Sequence, residues 1–437
     1  LYPLLLAAFP VLALFVNNYG EVGWGVLPRP LLVSMGLAAV VLLTFRLLLK
    51  NWAKAALMTA WFIILFFLYG HVRNLLLDRV EVLGRHRYLG VIFAGLCGLG
   101  WMTIRRIKSI SILNTFLSMI AIMGIGILLL QTMWKERSVS NTYADILTSD
   151  HKPVLTIPDN PRDVYYIILD MYGRSDVILD QFQIDNSDFL KSLSSRGFYI
   201  ADCSMANYPH TALSLGSSMN YSYWDEKVSE NINANSETMW DPGGNNAYFG
   251  DLIQHSAIRN DLESIGYKTV AFETSWDWLN LLDADTYFSP GYTASLSQFE
   301  LLVIKSSMGQ IIWDGIQNFA PSYYYKSRRD QQLFILDRIS DAAAINGPKF
   351  VFIHIAVPHT PFVFAVDGSD PTENPKYYDN SGSPSDPEYY RIGYKNQVEY
   401  INQRVGGMID DILQQSTNPP IIILQGDHGP TGEPAER

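Results

Sequence analysis

The first third of the chain carries long apolar stretches, at about residues 1–16, 30–48, 53–70, 88–104 and 110–134. Each is close to the length, roughly 17–25 residues, that an α-helix needs to cross a bilayer. We therefore predict an N-terminal α-helical transmembrane bundle of about five spans over residues 1–134. A signal peptide or a soluble helical core would be the alternatives, but further apolar stretches follow the first one and no small-residue cleavage site does.

Beyond the apolar part, residues 135–163 are rich in Ser, Asp, Asn, Lys and Pro, which predicts a linker. Over residues 164–437, short apolar runs alternate with helical patterns. This alternation predicts an α/β domain with a mainly parallel sheet covered by helices. The predicted strands lie at 164–169, 198–201, 269–272, 350–355 and 421–424, and the predicted helices at 178–195, 251–265, 328–345 and 390–415.

Charge separates the same two parts of the chain. Residues 1–140 contain 13 Lys and Arg against 4 Asp and Glu, while the remainder holds 19 against 39. The acidic remainder has no basic stripe, so we do not expect nucleic acid as a partner. The two cysteines, Cys97 and Cys203, are too few for a disulfide framework. The chain begins at Leu1 and ends at Arg437 soon after its last motif, and we expect both ends to be incomplete.

The loops between the spans predict the orientation. Basic residues fall in the second and fourth loops, at Arg46, Lys50, Lys54, Arg105, Arg106 and Lys108. Positively charged loops stay in the cytoplasm, so everything after the fifth span should be extracytoplasmic. The spans themselves should lie in a plasma or inner membrane. One loop runs against this rule: residues 71–87 should lie outside, yet they contain Arg73, Arg79, Arg85 and Arg87.

Candidate chemistry lies where the predicted strands end, the usual place for a site in an open α/β sheet. Asp170 ends the first strand, His354 and His359 lie in the segment FVFIHIAVPHTPF, and Asp427 and His428 follow the all-aliphatic run Ile421–Leu424. That run predicts a strand buried on both faces. Helix caps and a satisfied core histidine are the commoner uses of such residues.

Thr211, in the segment NYPHTALSLGSS, follows a turn and precedes small residues that could begin a helix. A hydroxyl at a helix N-terminus suits attack on an anion, although an N-cap is its commoner role. A stretch rich in Asn, Ser and Gly at about 221–250 predicts a long surface excursion near the site.

These motifs, in this order, resemble the sulfatase-like branch of the alkaline phosphatase superfamily, over about residues 164–437. The pattern is similar to membrane-anchored phosphoethanolamine transferases and lipoteichoic-acid-synthase-like enzymes. The resemblance implies that a divalent metal is held by Asp170, Thr211, Asp427 and His428. Zinc or manganese is expected, with calcium or magnesium as alternatives. It also implies that Thr211 is the nucleophile, and that His359 or His354 steadies the substrate or protonates the leaving group.

Two departures from the family pattern narrow this expectation. Cys203 is followed by Ser-Met-Ala-Asn, which does not match the formylglycine motif, so chemistry of the formylglycine type is not expected. Met171 stands where a second acid, which could help to hold a second metal, often follows the first. We therefore predict one well-held metal. The implied function is hydrolysis or transfer of a phosphate or sulfate ester, with a substrate that could be lipid-linked or a cell-envelope polymer. A catalytically inactive, membrane-anchored binding or scaffold protein on the same fold is the alternative.

Overall fold

The computed structural model describes residues 2–19, 22–147, 155–224, 246–291, 296–319, 323–371 and 387–430. Contacts within the chain divide it into two compact units. The helical unit consists of Leu1–Asn141 and Leu296–Pro321, and the α/β unit consists of Thr142–Ser295 and Ser322–Arg437. The contacts thus group Leu296–Pro321 with the helices, whereas the sequence prediction included it in one domain at 164–437.

The helical unit begins with helices α1 (Tyr2–Asn17), α2 (Pro28–Leu49), α3 (Trp52–Arg79), α4 (Glu81–Gly84), α5 (His86–Arg106) and α6 (Ser111–Leu147). Candidate membrane spans in the described residues are Trp24–Leu49, Trp52–Leu77, His86–Arg106 and Ser111–Arg137. A shorter apolar helix, Tyr2–Asn17, accompanies them. The protein is therefore an integral membrane protein, and the prediction of an N-terminal helical bundle of about five spans is confirmed.

Helix α6 extends past its apolar part to Leu147, so residues 135–147 of the predicted linker are helical. Residues 155–163 form neither helix nor strand. The loss of apolar periodicity after Trp134 thus marks the end of the span and not the end of the helix. Polar residues can continue a helix into water because its backbone hydrogen bonds are made within the segment.

The α/β unit contains a parallel sheet of β1 (Val164–Leu169), β2 (Lys268–Phe272), β3 (Thr286–Phe288), β4 (Lys349–Ile355) and β5 (Ile421–Gly426). The strand order in the described residues is β3-β2-β4-β1-β5, and every neighbouring pair is parallel. Strands β1 and β4 are central and almost wholly buried, which explains their continuous apolar sequences. The predicted fold class, a mainly parallel sheet covered by helices, is confirmed.

Helices lie between the strands. After β1 come α7 (Ser175–Phe182), α8 (Ser187–Ser195), α9 (Thr211–Met219), α10 (Asn246–Gln254) and α11 (Ala257–Ser264), and after β3 come α12 (Gln298–Lys305), α13 (Gly309–Phe319), α14 (Tyr323–Arg338) and α15 (Pro387–Gln415). Of these, α12 and α13 belong to the helical unit. All four predicted helices are present, but those at 178–195 and 251–265 are each divided into two. The predicted surface excursion at about 221–250 lies mostly outside the described residues.

Two strand predictions are wrong. Residues 198–201 form no strand. Phe198 and Ile200 pack against the core while Tyr199 is 89% exposed, so inward-facing and outward-facing side chains do alternate. Within the described residues, however, no strand pairs with this segment. Strand β5 is not buried on both faces either. It is an edge strand, and Ile421 and Ile423 remain 46% and 44% exposed while the alternate residues pack inward.

Candidate metal and catalytic site

The site lies at the carboxyl ends of β1, β4 and β5, three adjacent strands of the α/β unit. Leu169, the last residue of β1, pairs with Ile355 on one side and with Gly426 on the other. This register places Asp170, which follows β1, beside Asp427, which follows β5. A Cβ on Gly426 would lie 2.3 Å from the carbonyl oxygen of Tyr172, so only glycine allows the two strand ends to approach this closely.

A tight turn after β1 fixes the two carboxylates. Met171 has a φ of 66°, in the left-handed region, and its N–H donates to Oδ1 of Asp427 at 3.0 Å. The N–H of His428 donates to the same oxygen at 2.8 Å. Tyr394 of α15 holds the turn from the other side, since its hydroxyl donates to the carbonyl oxygen of Met171 at 2.8 Å. The strained conformation is therefore held by several contacts.

Each carboxylate keeps one oxygen without a hydrogen bond from the described residues: Oδ1 of Asp170 and Oδ2 of Asp427. Both carboxylates are fully buried. Both of these oxygens lie 3.7 Å from Nε2 of His428. Nδ1 of His428 lies 2.8 Å from the carbonyl oxygen of Gly429, which can only accept, so Nδ1 carries the proton and Nε2 presents a lone pair. Oδ1 of Asp170, Oδ2 of Asp427 and Nε2 of His428 are thus three electron-pair donors that lie close together.

The buried carboxylates have opposite pKa perturbations. Burial acts to raise the pKa of Asp170, but the neighbouring His359, His354 and His428, when protonated in acid, outweigh it and lower that pKa to about 2. Burial, together with the negative charge of Asp170, raises the pKa of Asp427 to about 7. Two adjacent buried carboxylates repel each other when both are ionised, and a cation between them would remove this repulsion.

Thr211 is the first residue of α9 and is buried, with its Oγ1 lying 3.2 Å from Nε2 of His428. The preceding residue, His210, is extended and caps the helix without a side-chain hydrogen bond. The first N–H groups of a helix have no acceptor within it, and the positive end of the helix dipole lies there. The hydroxyl is therefore next to the carboxylates and at a position that favours a bound anion.

His354, near the end of β4, and His359, in the segment after β4, both lie close enough to Asp170 to affect its charge. Nε2 of His354 is 3.5 Å from Oδ2 of Asp170, and neither ring nitrogen of His354 has a hydrogen-bond partner in the described structure. Nδ1 of His359 is bonded to the carbonyl oxygen of Thr360. Burial lowers the pKa of both rings, that of His354 to about 4, so both are neutral at pH 7 and each has a lone pair to offer.

The donor set fits a divalent cation. Asp170, His354 and Asp427 each have a ligand atom within 4.8 Å of the others, and His428 and Thr211 are adjacent to this group. Carboxylate, imidazole and hydroxyl groups are ordinary ligands of divalent metal ions in proteins. The unpartnered carboxylate oxygens are the observation that favours a cation here, because unpaired buried charges are costly.

All six predicted site residues are close together, but their division into ligands and catalytic groups stays a prediction. The sequence analysis missed Trp276, whose Nε1 donates to Oδ2 of Asp170 at 3.1 Å and whose ring meets that of His359 edge-on at 5.2 Å. The guanidinium of Arg328 in α14 lies over the ring of Trp276, 4.7 Å from its centroid. Trp276 comes shortly after β2, so the same rule of strand ends would have found it.

The sequence of the α/β unit identifies its family. The family model described as Sulfatase matches residues 162–436, which is more than half of the chain and includes every residue of the site. The chain belongs to the Sulfatase family. As a member, it is an enzyme of the phosphoryl or sulfuryl transfer type.

Other comparisons are more distant. No curated protein sequence matches the chain. One similar solved structure is the integral membrane protein lipooligosaccharide phosphoethanolamine transferase A (EptA) from Neisseria meningitidis. It is 13% identical to this chain with a TM-score of 0.31, over 98% of this chain and 81% of the transferase.

Proposed function

We propose that this Sulfatase family member is a metal-dependent hydrolase or transferase that cleaves a phosphate or sulfate ester through a covalent intermediate on Thr211. The observation that carries the proposal is the position of the Thr211 hydroxyl, 3.2 Å from Nε2 of His428 and beside two buried carboxylates with unpartnered oxygens. A threonine hydroxyl alone is a poor nucleophile at neutral pH, and such surroundings are what activation of a hydroxyl requires.

Asp170, Thr211, Asp427 and His428 would hold the metal, and zinc or manganese is the expected ion. When bound, such an ion lowers the pKa of a coordinated hydroxyl and neutralises the charge of a phosphoryl or sulfuryl oxygen. The residues around it orient the ligands. Trp276 fixes one oxygen of Asp170, and the N–H groups of Met171 and His428 fix one oxygen of Asp427.

The reaction would proceed in two steps. Thr211 releases its proton to solvent, its Oγ1 forms a bond to phosphorus or sulfur, and the bond to the leaving oxygen breaks. Water or a second alcohol then attacks the same atom, and the bond to Thr211 breaks. The N–H groups at the start of α9 would receive the transferred group's oxygens, because they have no acceptor within the helix.

His359 is the best candidate for moving the remaining proton. Its Nδ1 is occupied by the carbonyl oxygen of Thr360, so the neutral ring presents a lone pair at Nε2. That nitrogen can accept the proton of the incoming water or alcohol, and the protonated ring can supply a proton to a leaving oxygen in the other half of the cycle. His354 is fully buried with its Nε2 3.5 Å from Oδ2 of Asp170, so it is better placed to influence the ionisation of Asp170 than to transfer a proton to substrate.

The membrane location favours a substrate that is itself at the membrane. The catalytic residues and the membrane helices are parts of one chain, and the basic loops at Arg46–Lys54 and Arg105–Lys108 favour an extracytoplasmic α/β unit. The substrate is thus proposed to be a phosphate or sulfate ester at the outer face, lipid-linked or part of a cell-envelope polymer. Nucleic acid is not an expected partner.

The test uses the full-length protein in lipid nanodiscs. A chelator should remove one equivalent of metal and abolish turnover of p-nitrophenyl phosphate or p-nitrophenyl sulfate, and zinc or manganese should restore both. Elemental analysis measures the stoichiometry independently of the activity. A protein that binds one metal but shows no turnover on these esters or on lipid-linked phosphate esters would support the scaffold alternative. Turnover that survives complete metal removal would contradict the proposal.

A further inference from the structure

Helices α12 and α13 form a hairpin that interrupts the sequence of the α/β unit but packs within the helical unit. We call this segment, Gln298–Phe319, the inserted hairpin. Its two acidic side chains, Glu300 and Asp314, contact the membrane helices. Glu300 completes a capping box with Ser297 and forms an ion pair with Arg29 at the start of α2. Asp314 contacts Arg73 of α3 at 3.1 Å and His86 of α5 at 2.8 Å.

One of these contacts involves the loop that runs against the charge rule. Arg73 was one of four arginines expected on the outer side, and it has an acidic partner on the inserted hairpin. His86 is further held by the hydroxyl of Tyr69, 2.8 Å from its Nδ1. Ionisable groups near a membrane are usually found in this arrangement, turned toward protein and paired with each other.

The contact with α3 is close and extends far along the helix. The carbonyl oxygen of Lys305 would lie only 2.3 Å from a Cβ on Gly70, so a larger residue at position 70 would separate the two. The N–H of Met308 donates to the carbonyl oxygen of Phe66 at 2.7 Å. Phe66 is 11 residues before Leu77, where the apolar span of α3 ends. At a rise of 1.5 Å per residue this is about 16 Å along the helix, about half of a hydrocarbon layer of roughly 30 Å.

In the turn between α12 and α13, the backbone N–H groups are hydrogen-bonded within the protein. The N–H groups from Ser306 to Ile311 all have acceptors: in order, the oxygens of Leu302, Ile304, Phe66, the Ser307 side chain, Ser307 and Met308. The hydroxyls of Ser306 and Ser307 donate to carbonyl oxygens of α12 as well. Non-helical backbone is tolerated at membrane depth only when such groups are satisfied within the protein.

The outer face of the inserted hairpin is aliphatic. Gln298, at the start of the hairpin, is exposed. From Phe299 to Ile316 the exposed residues are Leu302 (40%), Ile311 (37%), Ile312 (69%) and Ile316 (41%). A water-facing surface would show charged side chains there, as in an ordinary amphipathic helix. The neighbouring span α3 also exposes leucines toward the same end, Leu68 and Leu75.

We propose that the inserted hairpin is a re-entrant membrane element whose aliphatic face contacts lipid acyl chains. It contacts the end of α1, the beginning of α2, the second half of α3 and the beginning of α5. The end of α1, the beginning of α2, the end of α3 and the beginning of α5 lie on one side of the membrane because successive spans are antiparallel. The end of α6 lies on that side too, where the chain enters the α/β unit. The chain thus connects the α/β unit to the membrane helices through α6 and again through the inserted hairpin.

The test is a depth measurement on the full-length protein in phosphatidylethanolamine and phosphatidylglycerol vesicles. Single cysteines carrying a nitroxide replace Leu302, Ile312 or Ile316 in a Cys97→Ala, Cys203→Ser background. Collision with oxygen, which is concentrated in the bilayer, is compared with collision with a water-soluble nickel complex. Leu43 on α2, which is 55% exposed, serves as the membrane reference, and Leu179 on α7, which is 49% exposed, is the matched aliphatic control in the α/β unit.

The expected result is an excess of oxygen collisions over nickel collisions at positions 302, 312 and 316, as at Leu43, and the reverse at Leu179. An excess of nickel collisions at Ile312 would overturn the proposal, because the face would then be in water. Protection from both reagents would overturn it as well, since protein would then cover the face. Broadening of the nitroxide spectrum would identify that protein as a second copy of this chain.

Discussion

The hydroxyl of Thr211 lies 3.2 Å from Nε2 of His428, although the two residues are 217 positions apart in the chain. One begins a helix and the other follows the edge strand β5. Their meeting point also holds the unpartnered oxygens of Asp170 and Asp427, so a nucleophile, an imidazole and two carboxylates share one buried space.

The change Asp427→Asn should remove the metal without unfolding the α/β unit. The amide can still accept from the N–H groups of Met171 and His428, which preserves the turn, but it has no charge to hold a cation. Elemental analysis of the purified variant should show less than a tenth of the wild-type metal, with circular dichroism unchanged. Wild-type stoichiometry in the variant would show that Asp427 is not a ligand.

The change Trp276→Phe tests how Asp170 is positioned. It removes the Nε1–H that donates to Oδ2 and keeps an aromatic ring against His359. Loss of such a partner typically weakens metal binding by about 10-fold or more. A competition titration with a chelator measures the affinity directly. Trp278→Phe is the control, since that residue is also buried but forms no hydrogen bond with Asp170 or Asp427 in the described part of the chain. Equal metal affinities in the two variants would contradict the positioning role.

The native cysteines report the orientation. Cys203 is exposed in the α/β unit, and Cys97 is partly buried in a membrane span. A membrane-impermeant maleimide added to intact cells should therefore label the wild-type protein and not the Cys203→Ser variant. If labelling of Cys203 required lysis, the α/β unit would be cytoplasmic and the charge rule would have failed for this chain.

The close contact at Gly70 predicts a stability effect. In Gly70→Ala, the added Cβ would lie 2.3 Å from the carbonyl oxygen of Lys305 and push the inserted hairpin away. Overpacking of this kind destabilises by about 1–3 kcal/mol. Gly36→Ala on α2 is the matched control, because nothing lies within 4 Å of its Cβ position. Thermal unfolding in detergent, followed by tryptophan fluorescence, should show a lower midpoint only for Gly70→Ala. Equal midpoints would mean that the contact with Lys305 adjusts freely.

Much of this molecule could be predicted from sequence because its signals are local. The spans are continuous apolar runs, and β1 and β4 are continuous because both of their faces are buried. Asp170, Asp427 and His354 were found because parallel strands bring their carboxyl ends together. Thr211 was found because small residues follow it at the start of α9.

The remaining features depend on tertiary neighbours. The exposure of Ile421 and Ile423 follows from the edge position of β5, which its composition does not reveal. The inserted hairpin was missed because α12 and α13 are short, and their amphipathic pattern does not show whether lipid or core covers the apolar side. The position of Trp276 shortly after β2 is visible in the sequence, but its role depends on one side-chain hydrogen bond to Asp170, which the sequence does not show.

Thr211 variants separate the nucleophile from its neighbours. Thr211→Ala should keep most of the metal, because water can replace one ligand, but turnover should fall by orders of magnitude. Thr211→Ser should keep a measurable fraction, since the hydroxyl remains. Ser217→Ala is the control, because Ser217 Oγ is already bonded to Asn207 and to the carbonyl oxygen of Ser222. Its turnover should stay within a few-fold of wild type in a correctly folded sample.

The central claim is a covalent intermediate on Thr211, and rapid acid quenching during turnover tests it most directly. Peptide mass spectrometry of the quenched full-length protein, supplied with p-nitrophenyl phosphate or sulfate, should find a phosphoryl or sulfuryl group on Thr211. The His359→Ala variant should accumulate more of it, because proton transfer to His359 assists the second step. A group on Ser214, Ser217 or Ser218 instead, or an unmodified segment 207–224 in a sample shown to turn over, would contradict the account.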